Sequence, residues 1–157
     1  MLMSEERAQS AGLPAKAVVR SYAFAAVDPR GQLLLGPAHA IPLALERAGL
    51  KLSDIDVFEI HEAFAAQVLS TLKCLASKDF AQQELGRSDA VGKIDRERLN
   101  IGGGSIALGH PFGATGARVV MDLAHHIQQR NGQLGLASVC AAGGVGCAIV
   151  LERMSWP

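Results

Sequence analysis

The chain has 157 residues, 49% of them hydrophobic and 19% charged, a composition that fits one globular domain with a sizeable core and excludes a disordered chain. Lysine plus arginine and aspartate plus glutamate both number 15, so the net charge is zero and no overall field draws in nucleic acid or an anionic membrane. Three cysteines without a secretory signal favour reduced thiols, which predicts a cytoplasmic protein. The sequence has no run of about 18 apolar residues, so no membrane span is predicted.

The first half of the chain is predicted to form a short helix followed by a strand, helix, strand unit. Residues 1–14 carry a serine cap, acidic residues and a Gly-Leu-Pro stop, which indicate a short helix that ends a preceding region or linker. The stretch 15–29 is β-branched and aromatic, which favours a long strand. A helix is predicted at 39–48, closed by Gly49, and a short apolar strand at 55–60.

The second half is predicted to contain two helices and a hairpin. One helix begins at Glu62 and runs through the segment ending "FAQQEL", because apolar residues recur there at spacings of three and four. Residues 86–100 are charged and lack a clear period, so they are interpreted as a surface excursion. The segment 116–130 predicts a second helix, closed by Asn131-Gly132, and 132–153 predicts two strands around a glycine corner.

This order of elements predicts an α/β fold, in which helices cover the faces of a mixed sheet. The predicted domain occupies residues 15–154. Residues 155–157, which include Trp156, are interpreted as a frayed tail.

A glycine-rich stretch, "NIGGGSIALGHPFGATGAR" at 100–118, requires a specific explanation. It lacks the lysine of a Walker loop, and "GFGATG" does not supply the dinucleotide-binding fingerprint. It therefore predicts a loop that holds His110 before Pro111 at the start of a helix, where backbone N–H groups suit a forming oxyanion. The alternative, which the pattern leaves open, is a histidine that serves only packing or loop structure.

Two further candidate residues lie where predicted strands end. His61 stands between a strand and a helix in "EIHEAFAAQ", a position from which α/β folds present functional groups. Cys140 ends a strand in "SVCAAGGVG". Each also has a structural interpretation, because a histidine at a strand end can bond a neighbouring loop and a buried strand cysteine is usually a small hydrophobic residue.

Together these segments match a known family. The blocks "HEAF", "GHPFGATGAR" and "CAAGG" occur in this order and resemble three of the four signature blocks of the thiolases. The resemblance extends through "GPAHAIPLALERAGLKLSDIDVFEI" and covers nearly the whole chain. His61 replaces the more frequent Asn, and "CAAGG" replaces "CxGGG", which is most similar to the β-subunit branch acting in fatty-acid β-oxidation complexes.

The resemblance implies catalytic roles for three side chains. Cys140 matches the cysteine that exchanges a proton with the acetyl carbon when a 3-ketoacyl-CoA is cleaved. His110 matches the histidine that activates the nucleophilic cysteine and donates to the thioester oxygen of the enolate. His61 takes the place of an asparagine that holds a water in the same oxyanion hole.

The resemblance also implies the surroundings of the site. The backbone N–H of Ala142 would form a second oxyanion site, Phe64 would face the pantetheine arm, and Gly109 and Gly143 would lie beside the substrate. The family implies a thiolase-like C-terminal domain with a mixed five-stranded sheet. Coenzyme A is then a substrate, with no metal and no covalently bound cofactor. Expected partners are an acyl-CoA, further copies of the chain and a β-oxidation α-subunit.

One part of the family's site has no counterpart in this sequence. The nucleophilic cysteine and the loop domain that grips coenzyme A belong to the family's N-terminal half, and Cys74 lies inside a predicted amphipathic helix that lacks the expected surroundings. We therefore expect the isolated chain to be inactive and to need that half, on the same polypeptide or a separate chain. One alternative is a non-catalytic thiolase-like module, which the absent nucleophile leaves open. The other is a ketoacyl-synthase-like condensing domain, against which "HEAF" and Cys140 argue.

Overall fold

A computed structural model of the chain describes residues 1–154, and the tail predicted at 155–157, with Trp156, lies outside the described residues. The α-helices are α1 (Glu5–Ser10), α2 (Pro29–Gln32), α3 (Gly36–Ala48), α4 (Ala65–Leu75), α5 (Lys78–Glu84), α6 (Ser105–Leu108) and α7 (Thr115–Gln129). The strands are β1 (Ala17–Ala26), β2 (Val57–Ile60), β3 (Leu134–Ala141) and β4 (Val145–Arg153). Short 3-10 turns lie at Leu52–Asp54 and Arg96–Arg98.

The strands form one mixed sheet in the order β1-β4-β3-β2. Strands β2 and β3 are parallel, with Ile60 opposite Ser138, whereas β4 is antiparallel to both β3 and β1. The carboxyl ends of β2 and β3 therefore lie at one edge of the sheet, where the turn from β3 into β4 also lies. In mixed sheets that edge is where functional side chains usually gather.

One face of the sheet is covered by α3 and α4 and is packed with apolar side chains. Phe58, Ile41 and Leu136 are fully buried there. Helix α3 approaches β4 so closely that a Cβ on either Gly36 or Gly146 would overlap the backbone of the other. Only glycine permits this approach, so the packing on this face depends on both residues.

The opposite face is covered by α7. Leu123 and Ile127 of α7 are fully buried against Val57 of β2 and Ala137 of β3. The helix predicted in this segment is confirmed, and its apolar side chains pack against the sheet.

The expectation of five strands is corrected by the structure, which has four strands within residues 1–154. The position beside β2 is taken by Leu99, which forms a single parallel bridge with Phe58, and the N–H of Asn100 donates to the carbonyl of Phe58. Asn100 then adopts a left-handed conformation with φ 49°, so the chain turns away before a strand can form. The segment 86–100, predicted to run over the surface, therefore ends with backbone hydrogen bonding to β2.

The other element predictions are largely confirmed, with changes at their boundaries. The helix predicted from residue 39 begins earlier, at Gly36, and ends as expected at left-handed Gly49. The single helix predicted from Glu62 starts at Ala65 and is divided into α4 and α5, because the Ser77 hydroxyl accepts from the N–H of Phe80 and caps a new helix. Helices α2 and α6, of one turn each, were not predicted.

Among the described residues, no helix combines the length and apolar character needed to cross a membrane.

Candidate active site

His61 directly follows β2 and is held by both its backbone and its side chain. Its N–H donates to the carbonyl of Ser138 at 2.9 Å, which extends the pairing with β3 by one residue. The side chain is buried, and its Nδ1 lies 2.9 Å from the Ser105 hydroxyl at the start of α6. The Ser105 hydroxyl also accepts from Nη2 of Arg118, on α7, at 2.9 Å.

His110 lies in the loop between α6 and α7, at the entrance to α7. Its Nδ1 lies 2.7 Å from the hydroxyl of Thr115, the first residue of α7. The Thr115 hydroxyl donates to the Pro111 carbonyl at 3.2 Å. The imidazole of His110 is 4.3 Å from that of His61, measured between ring centroids. The two histidines, separated by 48 residues in sequence, therefore form one pair.

The loop that carries His110 is anchored at both ends. The Glu62 carboxylate accepts from Nδ2 of Asn100 at 2.8 Å and from the N–H of Ile106 at 3.0 Å. Arg118 donates from Nη1 to the carbonyl of Gly109 at 2.9 Å. Gly104 leaves the space that Glu62 occupies, since a Cβ there would overlap the carboxylate. The glycines of this stretch thus allow close packing of the loop.

Asn100 ties the end of β2 to this loop. Its side-chain oxygen accepts from the N–H of Ile60 at 2.8 Å, and its side-chain nitrogen donates to the Ile60 carbonyl at 2.9 Å. The Asn100 amide satisfies the backbone groups that a fifth strand would otherwise pair. It therefore fixes the strand end that carries His61.

Cys140 reaches the same edge of the sheet but from the other face. It pairs with Gly146 in the β3–β4 ladder and is 5% exposed. By strand alternation Cys140 shares the α3 face with Leu136, whereas His61 shares the α7 face with Val57. Among the described residues, hydrogen bonds join the imidazoles to hydroxyl groups and not to the Cys140 thiol.

Burial shifts the pKa values of two groups at the site, the Cys140 thiol and the His61 imidazole. Burial raises the pKa of the Cys140 thiol, so the thiol keeps its proton at neutral pH. Burial, together with nearby His110 and Arg118, lowers the pKa of His61, while Glu62 acts in the opposite direction. His61 is therefore neutral at pH 7. The half-buried Cys74 on α4 also has a pKa raised by burial, so it lacks the thiolate character of a nucleophile.

The remaining residues predicted from sequence lie exposed around this edge. Phe64 is exposed and precedes α4, and Gly109 is exposed at the end of α6 with φ 87°. Ala142 and Gly143 form the turn between β3 and β4. Gly143 has φ 86°, whereas Ala142 keeps a negative φ, so the alanine that replaces a glycine of the family block is accommodated without strain.

A second buried polar pair, between Glu59 and His126, lies under α7. His126 Nδ1 is 2.7 Å from Oε1 of Glu59, and Gly102 leaves room for the imidazole. Burial, with nearby Asp122 and Glu62, raises the pKa of Glu59 to about 8, while burial lowers the pKa of His126. Both shifts favour a neutral carboxylic acid beside a neutral imidazole.

Sequence reasoning missed Ser105, Arg118, Thr115 and Asn100 as parts of the site. Ser105 bonds His61 across 44 residues of sequence and Arg118 reaches His61 only through Ser105, and no local pattern encodes such contacts. Thr115 could have been found, because a threonine in the first turn of a helix commonly bonds the carbonyl four residues earlier. In the part of the chain that the structure describes, no group of three or more His, Cys, Asp or Glu side chains could hold a metal ion.

This arrangement of residues belongs to a known family. The family model described as "Thiolase, C-terminal domain" matches residues 13–153, most of the chain. The chain therefore belongs to the thiolase family and corresponds to its C-terminal domain, which confirms the resemblance found in the three sequence blocks.

Individual relatives agree with this assignment. The 3-ketoacyl-CoA thiolases of Serratia proteamaculans, Pectobacterium carotovorum and Klebsiella pneumoniae are 52%, 53% and 53% identical to the chain over 152 residues. Each alignment covers 97% of this chain but 35% of the relative, so the chain spans about a third of their length. The crystal structure of the Bacillus anthracis acetyl-CoA acetyltransferase matches with a TM-score of 0.80 at 39% identity, covering 97% of this chain and 34% of that one.

Proposed function

We propose that the chain supplies the acid–base half of a 3-ketoacyl-CoA thiolase site. The observation that carries this proposal is the pair of imidazoles, His61 and His110, held 4.3 Å apart at the sheet edge where Cys140 is the next-to-last residue of β3. The reaction is thiolytic cleavage of a 3-ketoacyl-CoA to acetyl-CoA and a shortened acyl-CoA, as in fatty-acid β-oxidation. The names of the similar 3-ketoacyl-CoA thiolases support this substrate class.

Each step of this reaction has a matching group. A thiolate from the N-terminal half attacks the 3-keto carbon, the carbon–carbon bond breaks, and the released electron pair forms the enolate of acetyl-CoA. Cys140 gives its proton to the enolate carbon, which suits a buried thiol whose pKa is raised. Coenzyme A then takes the acyl group from the enzyme thioester, so coenzyme A acts as a substrate and no covalently bound cofactor takes part.

The histidines serve the charges that develop on oxygen and sulfur. His110 accepts the proton of the attacking thiol, whose ordinary pKa of about 8.5 leaves little thiolate at neutral pH, and then donates from this N–H to the thioester oxygen of the enolate. His61 donates to the thioester oxygen of the enolate, directly or through a water. The loss of one such oxyanion donor typically slows catalysis by ~10²- to 10³-fold.

The exposed residues at the edge contact the substrate in this proposal. The backbone N–H of Ala142 forms the second oxyanion site, Phe64 faces the pantetheine arm, and Gly109 and Gly143 leave room for the thioester. Because Cys140 and His61 approach the edge from opposite faces of the sheet, the acetyl group lies across the edge between them.

The nucleophilic cysteine comes from an N-terminal thiolase half, on the same polypeptide or on a separate chain. In this arrangement residues 1–14 end or link the preceding region, and residues 15–154 form the C-terminal domain. The assembled protein is a cytoplasmic homo-oligomer that associates with a β-oxidation α-subunit. The alternative is a thiolase-like module without catalytic activity.

The test compares the isolated chain with the same sequence joined to the N-terminal half of a 52% identical 3-ketoacyl-CoA thiolase. We expect the joined protein to cleave acetoacetyl-CoA and the isolated chain to show no measurable cleavage. Turnover by the isolated chain that Cys74→Ala abolishes would place the nucleophile in this chain and overturn the proposal. A joined protein that folds, binds acyl-CoA and never turns over would favour the non-catalytic module.

A second arm of the test assigns the acid–base thiol in the joined protein. We expect Cys140→Ala to block proton exchange at the acetyl carbon while acylation of the nucleophile continues. Cys147→Ala is the matched control, because it removes a partly buried thiol from the neighbouring strand. Unchanged proton exchange in Cys140→Ala would remove Cys140 from its proposed role.

A further inference from the structure

We infer that Ser105, Arg118 and Thr115 are positioning residues that hold the two imidazoles in opposite tautomers, with the proton of His61 on Nε2 and that of His110 on Nδ1. This inference rests on the proposed function for its catalytic consequence, while the tautomers themselves follow from hydrogen bonding.

The tautomer of His61 follows from the hydrogen bonds of Ser105. A guanidinium can only donate, so the Ser105 hydroxyl oxygen accepts from Arg118 at 2.9 Å. The hydroxyl has one proton left to place, and Ser105 is buried. The partner within reach for that proton is Nδ1 of His61, at 2.9 Å. If His61 donated instead, the buried hydroxyl proton would lack an acceptor, which is costly inside a protein.

A neutral His61 that accepts at Nδ1 carries its single proton on Nε2. The charged form is disfavoured because the ring is 3% exposed and lies near Arg118 and His110, with only Glu62 acting in its favour. Nε2 has no hydrogen-bond partner among the described residues. His61 therefore presents an unused N–H donor, the group that an oxyanion requires.

The hydrogen bonds of Thr115 give His110 the opposite tautomer. The Thr115 hydroxyl donates its one proton to the Pro111 carbonyl at 3.2 Å. It therefore accepts from Nδ1 of His110 at 2.7 Å, which places the proton on Nδ1 and leaves a lone pair on Nε2. His110 thus presents a base, the group that the attacking thiol requires.

As a consequence, the two histidine side chains have different roles, His61 as a hydrogen-bond donor and His110 as a base. With the ring centroids 4.3 Å apart, one Nε2 donates and the other accepts before any substrate arrives. The hydroxyl of Ser105 and the guanidinium of Arg118 act through His61, and the hydroxyl of Thr115 acts through His110. None of the three needs to contact the reacting atoms.

Imidazole nitrogen-15 chemical shifts test the inference, because they distinguish a protonated ring nitrogen from a bare one. In the unmodified chain at pH 7 we expect His61 to show a bare Nδ1 and a protonated Nε2, and His110 to show the reverse. A protonated Nδ1 on His61, or the same tautomer in both rings, would overturn the inference.

Variants test the named partners. We expect Ser105→Ala to shift the His61 nitrogens toward the average of the two tautomers, and Arg118→Met to do the same by freeing the hydroxyl to accept from His61. Ser105→Thr keeps the hydroxyl and is expected to retain the original shifts, and Ser53→Ala, at an exposed serine, is the control for a general effect. Unaltered His61 shifts in both Ser105→Ala and Arg118→Met would show that these residues do not set the tautomer.

The chemical shifts are measured without catalytic turnover, so the tautomer assignment and the proposed function are tested separately. If the tautomers are as inferred and the joined protein still does not cleave acetoacetyl-CoA, the proposed function is wrong while the assignment of Ser105 and Arg118 stands. If cleavage occurs with His61 protonated on Nδ1, the proposed function stands and this inference is wrong.

Discussion

The two faces of the sheet are packed by different chemistry, and strand β2 shows the difference residue by residue. Phe58 and Ile60 lie among apolar side chains on the α3 face, whereas Glu59 and His61 lie on the α7 face and hydrogen-bond to polar partners. The α3 face holds the domain together through close apolar packing. The α7 face has an apolar cluster of its own but also carries buried polar groups that cost desolvation, and these groups lie around the two histidines of the candidate site.

The largest expected effect is on the apolar face. Phe58→Ala removes a fully buried aromatic ring from β2 and is expected to lower the free energy of unfolding by about 3–5 kcal/mol. Urea denaturation followed by circular dichroism measures this change. Phe112→Ala is the control, because Phe112 is 89% exposed and its truncation should change stability by no more than about 0.5 kcal/mol. Equal losses in the two variants would contradict the assignment of Phe58 to the core.

A smaller effect is expected where α3 meets β4. Gly146→Ala places a Cβ against the backbone of Gly36, and backbone atoms cannot rotate away as a side chain can. The expected loss is about 1–3 kcal/mol, typical of overpacking. Gly31→Ala in α2 is the matched control, since a Cβ there meets open space. If both alanine variants unfold at the same urea concentration, the close approach of α3 and β4 is wrong.

The polar face should instead respond to pH. The folded chain holds the Glu59 proton up to about pH 8, whereas the unfolded chain releases it near the ordinary value of 4.5, so this stabilisation is present at low pH and is lost as the pH rises. The lowered pKa of His126 affects the free energy of unfolding only below about pH 6.5, the ordinary pKa of the imidazole. The free energy of unfolding should therefore fall by roughly 1–2 kcal/mol between pH 6.5 and 8.

Glu59→Gln tests this pH dependence. The amide keeps the shape of the side chain but cannot titrate, so the decline between pH 6.5 and 8 should disappear. Asp122, Glu62 and Arg118, which also act on Glu59, are unchanged in this variant. Urea titrations at the two pH values measure the effect. A decline of the same size in the variant would assign the proton to another group.

The apolar face was largely predictable from the sequence, because its signals are local. Gly49 ends α3 in a left-handed conformation, and the short apolar strand before His61 is buried as its composition indicates. The division of the predicted helix at Ser77 was not predicted, because the apolar spacing continues across the break and hides the serine cap.

The candidate site was predictable only in part. The family blocks identify His61, His110 and Cys140, and the structure brings the two histidines together. Ser105 and Arg118, which hold the His61 imidazole, lie far from it in sequence, so their roles depend on tertiary contacts, whereas Thr115 lies only five residues from His110. The prediction of a fifth strand was wrong for a related reason. The side chain of Asn100 hydrogen-bonds to the backbone of Ile60 and thus takes the place of a strand.

The parallel register of β2 and β3 limits how this family of sequences can change. Insertion or deletion of one residue within β2 would exchange its two faces, moving Phe58 toward α7 and His61 into the apolar layer. Such a change would disrupt the apolar core and the candidate site at the same time, so a protein with this change would retain neither. Length variation among homologues is therefore expected in the 86–98 segment and not within the four residues of β2.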